Sequence, residues 1–165
     1  MRIMVFPRKW FLDIRGTEEE RGVFEKWNVI SINTPPYAPK NFPDEEPPFS
    51  GKFLSLPSVL ALKFHDTEKQ WDDQVVLMTG ADADAVYDFV QRTKGNGMNG
   101  YIVHCTAGKS RSQAVGYVLN EYFNGRHGIC PDKVEYDEYE RRYASARTMN
   151  ALVKGLLMER FFNGG

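Results

Sequence analysis

Apolar residues fall in short unbroken runs, and these alternate with stretches where they recur every three or four positions. The unbroken aliphatic and β-branched runs predict strands buried on both faces, over about 2–6, 28–33 and 59–64. A fourth begins at Tyr101-Ile102-Val103 and delivers Cys105. The longer period predicts helices. Thr17 followed by Glu18-Glu19-Glu20 reads as a capping box opening a helix that runs to about Trp27. Thr79 caps another over about 80–93, with Ala83, Val86, Tyr87, Phe89 and Val90 as its apolar face. A third spans about 110–123 and stops at Gly125. A last one is expected over about 146–162, with Met149, Leu152, Val153, Leu156 and Leu157 on one side.

Between the second and third strands the pattern breaks down. Seven of the nine prolines lie between Pro35 and Pro57, around Asp44-Glu45-Glu46, which excludes helix and central strand. A proline-rich surface loop at about 34–58 is expected, packed onto the body by Tyr37, Phe42, Phe49 and Phe53. A loop of that length is either one wall of a substrate cleft or a variable insertion.

Alternating strands and helices predict an α/β fold with a central, largely parallel sheet flanked by helices. At 165 residues the chain suits a single domain. In such sheets ligands sit beyond the carboxyl ends of the strands, and both Asp66 and Cys105 follow predicted strand ends.

Composition then narrows the classes. With 42% hydrophobic and 26% charged residues, the chain reads as an ordinary soluble globular protein. A net charge of −1 supplies no bulk field for nucleic acid or an anionic membrane, so a bound anion needs a local site. Neither nucleic acid nor membrane is expected as a partner. The charged run over 135–142, interleaved with Tyr136, Tyr139 and Tyr143, is a solvated face or a partner site. Cys105 and Cys130 are too few for a disulfide framework. No apolar stretch reaches the roughly 20 residues of a membrane span. The opening run to Pro7 is short for a secretory signal. A cytoplasmic protein is expected, where a thiol stays reduced.

The chemistry concentrates in His104-Cys105-Thr106-Ala107-Gly108-Lys109-Ser110-Arg111-Ser112. A strand–loop–helix joint with small residues at Ala107 and Gly108 can turn backbone N–H groups inward as a nest for a tetrahedral oxyanion. Arg111 offers a planar fork to two phosphate oxygens. A thiol beside a helix N-terminus and a cation ionises readily, which makes Cys105 the candidate nucleophile. Ser112 can hydrogen-bond the departing sulfur, and His104 can brace the loop from behind. A leaving oxygen needs a proton, for which Asp66 is the candidate, with Asp72 and Asp73 as alternatives. The scheme needs no metal or cofactor, and His65, His104 and His127 lack ligand-like spacing. Ala107-Gly108-Lys109-Ser110 copies the end of a nucleotide-binding loop, but Val103 stands where that motif needs glycine.

A cysteine followed six positions later by arginine is a weak signal alone; the strand, glycine, serines and helix around it carry the weight. With them, the segment resembles the signature of the cysteine-based protein tyrosine phosphatases, most closely the dual-specificity branch. Leu62-Lys63-Phe64-His65-Asp66-Thr67 resembles that branch's acid-bearing loop, and the likeness covers about 29–123. The resemblance implies a thiolate at Cys105, phosphate held by Arg111 and by the loop from Thr106 to Ser110, and an acid at Asp66. It implies a phosphorylated protein as substrate: phosphotyrosine, and phosphoserine or phosphothreonine as well. Two departures stand out: Asp66 lies further before Cys105 than in that family, and the proline-rich stretch has no counterpart there. Other readings with the same loop are a phosphatase of phosphoinositides or RNA 5′-phosphates, and a phosphate-recognition module without turnover.

Overall fold

The apolar runs form β1 (Arg2–Pro7), β2 (Asn28–Asn33), β3 (Val59–Lys63) and β4 (Gly100–Cys105), with the two-residue β5 (Asp132–Lys133) at one edge. In this computed structural model, which describes residues 1–125, 132–133 and 149–163, every strand pairing is parallel and the order is β3-β2-β4-β1-β5. The α/β fold with a parallel sheet flanked by helices is as the sequence predicts.

β2 and β4 are buried at every position, which is why their sequences carry no polar alternation. Successive side chains serve opposite faces. Ile30, Ile32, Tyr101 and Val103 join the core built with α3 (Gly80–Thr93), α4 (Arg111–Asn124) and α5 (Ala151–Met158). Val29 and Ile102 join a second core with α1 (Arg8–Ile14) and α2 (Glu18–Lys26). Full burial of each such side chain contributes roughly 1.5–3 kcal/mol, so the strand ends that carry the loops are firmly held.

Three details differ from the pattern-based expectations. α1 follows β1 directly from Pro7; at seven residues it is too short to show a helical period, and only Phe11 and Ile14 are buried. The box at Thr17 is half made. Thr17 accepts from the Glu20 N–H, but the Glu20 carboxylate accepts instead from Gly16 N–H at 3.1 Å and from Ser50 N–H and hydroxyl at 3.1 and 2.5 Å. Glu20 is thereby buried and ties the proline-rich loop down. Thr79 and Asp82 make the full reciprocal box. The last helix starts at Ala151, not near 146, because Asn150 caps it through the Val153 N–H at 3.0 Å. Cys130, the charged run over 135–142 and residues 146–148 lie outside the described residues.

The proline-rich segment is a loop holding two single turns, Ala38–Lys40 and Gly51–Phe53. Tyr37, Phe49 and Phe53 are buried, the last stacked on Phe24 with centroids 4.2 Å apart. Phe42 does not pack inward as expected; it stays 45% exposed, on the side facing the carboxyl ends of the strands. Among the described residues no helix is long and apolar enough to cross a membrane.

Candidate active site

β4 ends at Cys105 and α4 begins at Arg111, so five residues must reverse from strand to helix. Gly108 makes this possible. It adopts φ +70°, and a Cβ there would sit 2.9 Å from the Pro7 nitrogen and 3.0 Å from the Phe6 carbonyl carbon. Only glycine fits that close pass against β1. Its N–H donates to Cys105 Sγ at 3.3 Å. Two carbonyls of the loop are tied down: Thr106 O accepts from Arg8 N–H at 3.2 Å, and Gly108 O from Gln113 Nε2 at 3.3 Å. Because the peptide unit is planar and trans, each tie turns the next N–H, of Ala107 and Lys109, to the opposite side of the loop. With the first turn of α4 these groups make a donor-rich cup.

Cys105 is buried at the floor, 2% exposed, and its sulfur lies 3.0 Å from Ser112 Oγ. Arg111 is also buried, and its guanidinium is anchored on two of its three nitrogens. Nη1 donates to Phe64 O at 2.6 Å; Nη2 donates to the hydroxyls of Thr106 and Thr34 at 2.9 and 3.0 Å. Nε is buried with no partner. An unpaired N–H of a charged group costs more than the ~1–3 kcal/mol of a neutral one, so this edge suits an arriving oxyanion.

His104 sits behind the loop, wholly buried between the rings of Phe11 and Phe49. Its Nδ1 lies 3.4 Å from Cys105 O, which can only accept, so Nε2 receives the Ser31 hydroxyl at 2.6 Å. Burial pushes its pKa down to about 3; the Cys105 carbonyl opposes this, and Arg8 and Arg111 reinforce it. The ring is a neutral brace.

Of the three candidate acids, only Asp66 reaches the cavity. Its Oδ1 accepts from Ser110 Oγ at 2.7 Å and Asn150 Nδ2 at 3.0 Å. Asp72 is committed elsewhere. The Tyr37 hydroxyl donates to Oδ2, while the N–H groups of Gln74 and Val75 donate to Oδ1 at 2.8 and 3.2 Å. The Tyr37 bond above all holds Asp72 below the usual carboxylate range. Asp73 is exposed and does not line the cavity.

The cavity holds about 580 Å³. Cys105, Thr106, Ala107, Lys109, Ser110 and Arg111 form its inner end; Tyr37, Phe42, Pro43 and Glu45 of the proline-rich loop make one wall, and Trp71 and Val75 the other. The walls are fastened together. Besides Tyr37–Asp72, His65 donates from Nε2 to Pro35 O at 3.1 Å and accepts the Val76 N–H on Nδ1 at 2.9 Å. Of the two readings of the proline-rich loop, the cleft wall is the one its position fits.

Sequence reading missed Thr34, Glu45 and Gln113. Thr34 follows the end of β2, so the strand-end rule could have found it. Glu45 was visible only as part of an acidic triplet, and Gln113 as one polar residue in a helix. Compared with known protein families, curated proteins and solved structures, the chain matches none of them. Its geometry and chemistry therefore carry the functional reading.

Proposed function

We propose that the protein is a phosphoric monoester hydrolase acting on phosphoproteins, on phosphotyrosine first and on phosphoserine or phosphothreonine as well, through a phosphocysteine intermediate. One observation carries this reading: Cys105 Sγ receives a loop N–H at the floor of a cup whose arginine keeps a buried, unpartnered Nε.

In the first step the Cys105 thiolate attacks phosphorus. The S–P bond forms as the P–O bond to the leaving group breaks, and the Asp66 carboxyl gives its proton to the departing oxygen. Arg111 and the loop N–H groups hold the three equatorial oxygens, where charge gathers in the transition state. In the second step water attacks phosphorus and yields a proton to the Asp66 carboxylate. The S–P bond breaks, Ser112 Oγ hydrogen-bonds the leaving sulfur, and inorganic phosphate departs. Tyr37, Phe42 and Trp71 along the cavity favour an aryl leaving group, since the last two are 45% and 61% exposed and gain an apolar neighbour when one binds. A free thiol nucleophile suits a reducing compartment, so the cytoplasm is the proposed location.

The test is turnover of p-nitrophenyl phosphate and a phosphotyrosine peptide by the purified chain with a thiol reductant. Release of phosphate is expected. Phosphopeptide binding without release would instead make the cup a recognition module.

A further inference from the structure

We infer that Glu45 is a specificity-determining residue that restricts the cup to esters carrying one isolated phosphate. The inference rests on the reading of the Cys105–Arg111 loop as an oxyanion site, and it names the substrate class of that site.

Within Asp44-Glu45-Glu46 the three carboxylates are used differently. Asp44 and Glu46 both engage Lys63 Nζ, at 2.8 and 3.3 Å, and neither lines the cavity. Glu45 does line it. Its Oε1 accepts from Thr34 N–H and from the Thr106 hydroxyl, both at 2.8 Å. The same Thr106 oxygen accepts from Arg111 Nη2 at 2.9 Å. One hydroxyl therefore separates a fixed carboxylate from the guanidinium that would grip the reacting phosphate. Arg8 Nε is 3.8 Å from Oε2, an ion-pair distance too long for a hydrogen bond, so it offsets the Glu45 charge only in part.

A lone phosphate in the cup meets Arg111 and backbone N–H groups, with Glu45 behind Thr106. A second phosphoryl group joined to the first extends out of the cup along the cavity, whose wall carries that carboxylate. Lys40 and Lys109 also line the cavity and attract both kinds of ligand. Glu45 supplies the repulsive element that discrimination requires. This favours phosphorylated side chains over 5′-triphosphorylated RNA or inositol polyphosphates.

Isothermal titration calorimetry of orthophosphate and of tripolyphosphate tests this on the full chain, in the wild type and in Glu45→Gln. The amide keeps an acceptor for both hydrogen bonds and removes the charge. Affinity for tripolyphosphate relative to orthophosphate should rise roughly tenfold, the effect of removing one like charge several ångströms away. Glu46→Gln, on the same loop but outside the cavity, should change that ratio less than twofold. An unchanged ratio in Glu45→Gln, an equal rise in Glu46→Gln, or no binding of either anion by the wild type would overturn the inference. Glu45→Ser replaces the amide variant if circular dichroism shows the latter unfolded. Turnover of p-nitrophenyl phosphate by the same wild-type preparation reports separately. Turnover with an unmoved ratio rejects the charge filter alone; a moved ratio without turnover rejects hydrolysis alone.

Discussion

Arg111 Nη1 and the Phe64 carbonyl are joined by a 2.6 Å hydrogen bond. This contact, with the Ser110–Asp66 hydrogen bond, fastens the segment leading to Asp66 to the helix following Cys105. Lysine at position 111 could not hold Phe64 O, Thr34 and Thr106 at once and still offer an edge to phosphate. Arg111→Lys should lower kcat/KM on an aryl phosphate by about 10²–10³-fold, the usual cost of losing a donor to a developing oxyanion. A loss under tenfold in steady-state assays would remove the guanidinium from the scheme.

Cys105→Ser replaces the nucleophile with a hydroxyl that stays protonated at neutral pH. Phosphate release should fall to background while orthophosphate binding, measured by calorimetry, persists, because the donors of the cup are main-chain groups and Arg111. Retained turnover would refute the phosphocysteine intermediate.

Asp66→Asn preserves an oxygen to accept from Ser110 and Asn150, so the loop should hold its shape. The variant cannot supply a proton. Its turnover of phosphotyrosine, a poor leaving group, should drop about 10²–10⁴-fold, and turnover of an activated aryl ester far less. Equal losses on both substrates would exclude Asp66 as the acid.

Gln113 is buried, ties Gly108 O through Nε2, and leaves its own Oε1 without a partner. Gln113→Leu removes that unpaired oxygen but also takes the donor from the buried Gly108 O, so the two effects oppose and thermal stability should change little. Phosphate affinity and kcat should both fall, roughly tenfold, as the Gly108–Lys109 peptide loses its orientation. A purely structural glutamine would move the melting temperature and leave both binding and kcat unchanged.

His104 makes folding pH-dependent. In the folded chain it stays neutral down to about pH 3. The unfolded chain takes up that proton near the ordinary imidazole value of about 6.5. The folded value is the lower one, so the unfolded state binds more protons between the two, and stability falls as pH drops from about 6.5 toward 3. Above that window neither state is protonated and the residue adds no slope. Urea unfolding at successive pH values should show an extra loss of about 1.4 kcal/mol per unit, absent in His104→Gln. Parallel slopes in the two proteins would show that the ring titrates normally when folded.

Where a short stretch of chain makes its own structure, the sequence was legible. The runs at β2 and β4 are buried on both faces, so their apolar continuity is itself the signal; Thr79 and Asp82 close a box within four residues. The failures share a cause. Glu20 completes only half a box because Ser50, thirty residues away, takes its carboxylate. Phe42 reads as a packing residue, yet it stays half-exposed on the cavity wall, a position no local pattern encodes.

By itself the sequence determined the parallel α/β plan, the joint at which Cys105 and Arg111 meet a helix start, and the glycine that lets the chain turn there. These depend on backbone conformation and burial period, which act over a few residues. Only the tertiary structure decided that Asp66, and not Asp72, faces the cavity. It alone set the Tyr37 hydroxyl against Asp72, and put Glu45 one hydroxyl from Arg111. Those relations join separate loops across the sheet's carboxyl edge, and side chains far apart in sequence acquire their partners only when the strands are laid in register.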